Sequence, residues 1–229
     1  MTERRSEMLA AVRAALGRDR LPEADAAALQ RRLSEPRSNI VPMRGQPTPA
    51  ERIERFIFEA ERVQATVVRL AGLDEVPDAV VTYLRAANMP SVVRIGDDEV
   101  MQAVPWSSEP LLETATGAAV DTDTASVTSA FAGVAETGTL ILLSGPKSPT
   151  TLNFLPEAHL VVLPSARVVG SYEEAWQRLR GKLGNGRMPR VVNWITGPSR
   201  TADIEQTLLL GAHGPKRLQI MLVDGECPQ

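Results

Sequence analysis

The sequence predicts an α/β protein, built on a mixed, largely parallel sheet with helices on both faces and carrying an N-terminal helical appendage. Short β-rich runs recur at 65–70, 91–95, 127–135, 140–143 and 160–163, with helical segments near 74–88 and 172–183 between them. Strands that alternate with helices argue parallel pairing with both sheet faces covered. The runs 127–135 and 140–143, however, are joined only by Glu136-Thr137-Gly138-Thr139. A link of hairpin length implies an antiparallel pair, which makes the sheet mixed.

Along the chain, Leu9, Val12 and Leu16 recur at helical spacing and Gly17 follows as a stop, giving a first amphipathic helix. A second runs over 22–33, with Leu29 and Leu33 one turn apart. Pro36, Pro42, Pro47 and Pro49 among polar residues then favour extended chain. The expected division is a helical appendage over 1–34, a proline-rich linker over 35–48, and one α/β domain over 49–229. Thr48-Pro49-Ala50-Glu51 has the makings of a helix start, with threonine as cap and glutamate able to reach back to it, and that helix carries Ile53, Phe56, Ile57 and Ala60 inward. Near the C-terminus, 190–196 reads as a strand, and Leu208-Leu209-Leu210 as the buried part of a helix stopped by Gly211.

Composition narrows the classes of function. With 229 residues, 43% of them hydrophobic and 23% charged, the chain can form one sizeable core. A net charge of −3 gives no basic field for a nucleic-acid backbone, so no nucleic-acid partner is expected. Cys227 is the lone cysteine, so neither a disulfide nor a cysteine-ligated cluster can be built within one chain. No apolar run reaches the ~20 residues of a membrane span, and the first residues lead into an amphipathic helix rather than a signal peptide, which makes the cytoplasm the expected compartment. Gly-x-Gly-x-x-Gly is absent, Gly145-Pro146-Lys147-Ser148 lacks the first glycine of a P-loop, and the glycines of 181–186 follow a helix. His159 and His213 are the two histidines, and without a cysteine cluster they point to no metal site.

Polar residues concentrate in two places. Glu136 lies between apolar runs in a turn whose Gly138 lets backbone amides approach a ligand; a desolvated glutamate there suits acid/base work or attack on a carbonyl, although Thr137 and Thr139 also suit a plain hairpin turn. The stretch from Gly197 to Pro215 is denser still. Ser199 and Thr201 are placed to cap the helix expected after the 190–196 strand, Asp203 and Glu205 fall in its first turn, and Arg200 can offset their charge. One cap needs only one hydroxyl, and this cluster falls outside the carboxyl end of a strand, where α/β folds place ligands. His213 lies in the turn beyond, placed to donate to an oxyanion, and Asn153 and Lys147 are further amide and anion contacts. His159, just ahead of Leu160-Val161-Val162-Leu163, reads as fixing the start of a strand.

Three blocks, Ala135-Glu136-Thr137-Gly138-Thr139, Leu152-Asn153-Phe154-Leu155-Pro156-Glu157-Ala158-His159 and the Gly197 to Pro215 stretch, together resemble the lactate-utilization protein C family (LUD domain, DUF162) in content and order. The resemblance implies a NagB/RpiA/CoA-transferase-like α/β fold. It further implies a component of a three-protein system that oxidises L-lactate to pyruvate, in which the other two proteins carry iron–sulfur clusters. This chain would then be an accessory subunit without a redox cofactor of its own, with Glu136, Asp203 and His213 as catalytic candidates. Thr137, Gly138, Thr139, Asn153, Ser199, Arg200, Thr201 and Glu205 would be ligand contacts in the same cleft. The N-terminal helices would dock those partners or a second copy of the chain. The alternative is a stand-alone CoA-transferase-like or sugar-phosphate-isomerase-like enzyme using Glu136 as nucleophile or base.

Overall fold

The computed structural model describes residues 2–17, 21–184, 187–201 and 209–228. Helices α1 (Thr2–Ala15), α2 (Glu23–Ser34) and α3 (Arg52–Arg62) lead into β1 (Thr66–Leu70), α4 (Val76–Ala86), β2 (Val92–Ile95), α5 (Glu99–Ala103), β3 (Glu113–Thr116) and β4 (Ala125–Ser129). Next come β5 (Ala132–Val134), β6 (Thr139–Leu143), β7 (Ala158–Pro164), β8 (Val168–Val169) and α6 (Tyr172–Leu183). The chain continues through β9 (Val192–Ile195), β10 (Arg200–Thr201), β11 (Leu209–Leu210) and β12 (Arg217–Val223).

The main sheet has six strands in the order β1-β12-β7-β4-β2-β3, every neighbouring pair parallel. A second sheet of four strands, β8-β5-β6-β9, mixes parallel and antiparallel pairs. The single expected run 127–135 is therefore two strands in two sheets. Ala130 N donates to Val162 O in the main sheet and Phe131 N, one residue on, to Ile141 O in the second. A run of small and β-branched residues with no turn residue between its halves cannot reveal such a transfer, because both sheets bury it. The expected hairpin is present, with Val134 opposite Thr139.

Successive residues of the inner strands feed opposite cores, as strand geometry requires. In β7, Leu160 and Val162 meet Val80 and Leu84 of α4 and Met101 of α5, while Val161 and Leu163 meet Phe56 and Ala60 of α3 together with Leu140 and Leu142 of the second sheet. Every residue of β7 is buried, the signature of a parallel strand covered on both faces. The far face of the second sheet packs Val134, Ile141 and Val169 on Ala175 of α6. Four layers result: α4 with α5, the main sheet, α3 with the second sheet, then α6.

Local signals explain several boundaries. Ser171 caps α6 by accepting from Glu174 N at 3.2 Å, and Gly184 at φ +79° ends it. Before α3, Glu51 reaches back to Thr48 N at 3.0 Å and to its hydroxyl at 2.7 Å, but the helix itself begins only at Arg52. In α1 and α2 the apolar residues Met8, Leu9, Val12, Leu29 and Leu33 are exposed. Between α2 and α3, a 3-10 turn over Met43–Gly45 buries Gly45 against the body of the fold, and a Cβ on Gly170 would fall 2.8 Å from Gly45 O.

The helix expected through Leu208–Leu210 is not what forms at its described end: Leu209–Leu210 is a strand, paired antiparallel with Arg200–Thr201. A run of three leucines has no period, so it cannot distinguish a buried helix from a strand. Thr201 accordingly lies in β10 and not at a helix cap. Asp203 and Glu205 fall within 202–208, outside the described residues.

Gly138, at φ +65°, lies where any Cβ would run into the backbone of Ala60 in α3. Gly138→Ala is expected to cost about 3 kcal/mol of stability by chemical denaturation. Gly181→Ala, in α6 with open space around it, is expected to gain about 0.5–1 kcal/mol in the same measurement.

Candidate functional site

Two buried side chains define the site from below. His159, the second residue of β7, is 1% exposed, and its Nε2 lies 2.8 Å from Thr128 Oγ1 on the neighbouring β4. Burial pushes its pKa down to about 3, so the ring is neutral near pH 7, and its Nδ1 has no hydrogen-bond partner among the described residues. Asn153, also 1% exposed, ends a 3-10 turn over Thr150–Asn153. That turn is fastened to β4 by the Ser126 hydroxyl, which donates to Leu152 O at 2.6 Å. Asn153 Oδ1 likewise has no partner among the described residues.

The upper wall comes from the segment after β9 and the loop before β12. Gly197, at φ +72°, turns the chain tightly against the Val63 carbonyl at the end of α3, and Arg200 Nη2 donates to that same carbonyl at 2.9 Å. A cation there also complements the negative end of the helix dipole. Ser199 N donates to Pro215 O at 2.8 Å, Gly211 N to Ser199 O at 2.9 Å, and His213 N to Ser199 Oγ at 3.4 Å. Between these walls is a cavity of about 260 Å³ lined by Asn153, His159, Thr196, Ser199, Arg200 and His213, with Phe154 and Trp194 as apolar contacts. It lies outside the carboxyl end of β9, as the sequence suggests, but at the amino ends of β7 and β12, whose His159 and Leu218 reach it.

Glu136 does not line this cavity. It is 6% exposed, its amide donates to Gly170 O at 3.0 Å, and its Oε1 lies 3.2 Å from Arg44 Nη2. A Cβ on Gly45 would come within 2.9 Å of its Oε2, so the proline-rich segment covers the carboxylate. Thr137 and Thr139 turn instead to the Tyr172 hydroxyl, at 2.7 and 2.9 Å. Thr139 Oγ1 is also 2.7 Å from Thr196 Oγ1, a single hydroxyl contact joining the hairpin to the cavity wall. Gly138 serves packing against α3.

The structure thus gathers Asn153, Ser199, Arg200 and His213 around one space and holds Glu136, Thr137, Gly138 and Thr139 behind it. Sequence reasoning assigned His159 to a strand start and overlooked Thr196 and Tyr172. The available signal was a histidine opening a run that is otherwise wholly apolar, where a polar group needs a partner. Chemically, the cavity offers neutral hydrogen-bonding groups at its base and donors at its rim. Among the described residues no group of three or more His, Cys, Asp or Glu is placed to hold a metal ion, and no helix is long and apolar enough to cross a membrane.

A six-stranded parallel sheet backed by a smaller mixed sheet, with a cavity bordered by a glycine- and proline-rich loop, defines an α/β domain. The chain belongs to the LUD domain family, which matches residues 53–223. It is similar to Lactate utilization protein C of Shouchella clausii, 35% identical over 91 residues that make up 40% of each chain. It is also similar to an uncharacterized protein of Neisseria meningitidis serogroup B, 42% identical over 92 residues, 40% of this chain and 38% of that one. The matched stretch therefore spans about two-fifths of the length of these relatives. Among solved structures, a DUF162 family protein from Deinococcus radiodurans shares the fold with a TM-score of 0.60 at 22% identity, covering 78% of this chain and 100% of that one.

The neutral burial of His159 makes stability pH-dependent. An unfolded chain takes up a proton on this ring near 6.5, whereas the folded ring stays neutral down to about 3. Between those values the unfolded state binds more protons, so folding weakens as the pH falls, by up to about 1.4 kcal/mol per unit. Urea midpoints at pH 7 and pH 5 are expected to differ less in His159→Gln than in the parent protein.

Proposed function

We propose that this chain acts in lactate utilization as a subunit of a multi-protein system that oxidises L-lactate to pyruvate, and that its cavity binds a small 2-hydroxy or 2-oxo acid. The observation that carries this reading is a pair of buried atoms without a hydrogen-bond partner among the described residues, Asn153 Oδ1 and His159 Nδ1, on two residues that line one cavity. An alcohol both donates and accepts one hydrogen bond. Asn153 Oδ1 supplies an acceptor, and the neutral imidazole supplies a donor at Nδ1 when Nε2 accepts from the Thr128 hydroxyl. At the rim, His213, Ser199 and Arg200 are suited to the carboxylate of the same small molecule. The likeness to a protein named for lactate utilization points to the same substrate class.

On this reading the chain is an accessory subunit. Its single cysteine cannot ligate a cluster within the chain, in keeping with the resemblance, which implies that iron–sulfur clusters in two partner proteins carry the electrons away. The chain's own residues bind and orient the acid. Buried Asn153 and His159 hold the carbinol oxygen away from water, and His213, exposed at the mouth, meets the carboxylate as it enters. A CoA-transferase-like reaction at Glu136 would first require Arg44 and Gly45 to withdraw from that carboxylate.

The test is lactate-dependent dye reduction by the two iron–sulfur proteins, with and without this chain, as parent and as Asn153→Leu. Activity is expected to require the chain and to fall by roughly tenfold or more in the variant, the effect of losing one buried hydrogen bond to substrate. Equal activity with and without the chain would sink the lactate reading, and trapping of a glutamyl adduct from acyl-CoA would replace it with acyl transfer at Glu136.

A further inference from the structure

The second cavity worth attention lies at the other end of the main sheet. Strand order reverses between β2 and β4: β2 is followed by β3 on one side, whereas β4 leads, through the second sheet, to β7 on the other. Parallel sheets open a crevice at such a point, outside the carboxyl ends of the strands. A cavity of about 220 Å³ lies there, reached by Asp98 after β2 and Ser129 at the end of β4. Its remaining polar lining includes Lys147 and Ser148 from the loop after β6, Arg167 from the turn after β7, and Lys182 from the last turn of α6.

The charges in this crevice are not balanced pairwise. Among the described residues, Lys147, Arg167 and Lys182 take part in no salt bridge. Asp98 is the carboxylate fixed in the wall, its Oδ1 accepting from Val100 N at 3.1 Å, Met101 N at 3.3 Å and the Ser129 hydroxyl at 2.8 Å, and its negative charge favours the charged form of Arg167, which leaves the two lysines facing the crevice. Glu99, the other acid, is exposed at the edge. Arg167 is anchored rather than free to seek solvent, donating to Ala130 O at 3.0 Å and Pro228 O at 2.6 Å. Lys182 Nζ lies 5.9 Å from the centroid of the Phe131 ring, which holds the ammonium over the cavity floor. Three segments distant in sequence thus bring cations to one concave space.

We infer that this crevice is a second ligand site, one that takes a small dianionic oxyanion of the phosphate or phosphomonoester class between Lys147, Lys182 and Arg167, with Ser148 as a hydroxyl contact. Lysine ammonium groups suit phosphate as point charges, and a cavity smaller than the roughly 300 Å³ at which drug-sized pockets begin suits a small anion or the charged end of a longer molecule. The site is independent of the lactate reading, because the two cavities share no lining residue.

Isothermal titration of the full chain at low ionic strength tests it, with inorganic phosphate, glycerol 3-phosphate and L-lactate as separate probes. Phosphate is expected to bind, and Lys147→Gln with Lys182→Gln to weaken it by roughly tenfold or more, the effect of lost charged hydrogen bonds. Both side chains are exposed, so the core is untouched, and Lys216→Gln, a charge change elsewhere, is expected to leave binding as it was. Glycerol 3-phosphate binding tighter than inorganic phosphate marks an ester as the ligand, and equal affinities mark free phosphate. No phosphate binding up to about 10 mM, equal loss in Lys216→Gln, or lactate binding as well as phosphate each overturns the inference.

Discussion

Two successive amides, those of Ala130 and Phe131, donate to carbonyls in different sheets, and this transfer organises the molecule. It ends β4 in the main sheet and begins β5 in the second without a loop between them. The second sheet is thereby laid directly over the main one, beside α3, which completes the cover of β7. The parallel strands can then be apolar on both sides, each large side chain so enclosed contributing about 1.5–3 kcal/mol. Where the transfer occurs, the carboxyl ends of β2 and β4 border one cavity, and at the far edge of the second sheet β9 delivers the wall of the other.

The interior is not uniformly apolar, and its exceptions are informative. Thr128 and His159 satisfy one another, and Ser126 secures the turn that carries Asn153. Asn153 Oδ1 and His159 Nδ1, by contrast, are buried without such compensation among the described residues, an arrangement that costs about 1–3 kcal/mol for each group. A fold gains nothing from that cost unless something else meets those atoms. The hairpin shows the contrasting case, a ring of hydroxyls from Thr137, Thr139, Tyr172 and Thr196 whose mutual hydrogen bonds stiffen the wall.

Much of this architecture was legible in the sequence, and the exceptions have physical causes. The strands 65–70, 91–95, 140–143 and 160–163 could be read as short apolar, β-branched-rich runs bounded by turn residues, and the helix Tyr172–Leu183 from its cap, its apolar spacing and its glycine stop. β12 gave no comparable warning: Arg217 and Gln219 alternate with apolar residues only at its start, and its burial between β1 and β7 is a property of the assembled sheet. The β10–β11 ribbon was hidden because three leucines fit either helix or strand. At the site, the polar blocks drew attention to Asn153, Ser199, Arg200 and His213, which the fold brings together. Sequence could not show that Glu136 faces the other way, because its neighbours Arg44, Gly45 and Gly170 come from segments far off in the chain.

The contact between Gly45 and Gly170 also sets a length scale. Seven residues lie between the end of α2 at Ser34 and Pro42, where the turn that buries Gly45 begins. An extended chain of that size spans at most about 30 Å. The C-terminal end of α2 is consequently leashed within about that radius of the hairpin that carries Glu136, and the turn through Gly45 is the peg to which the leash is tied.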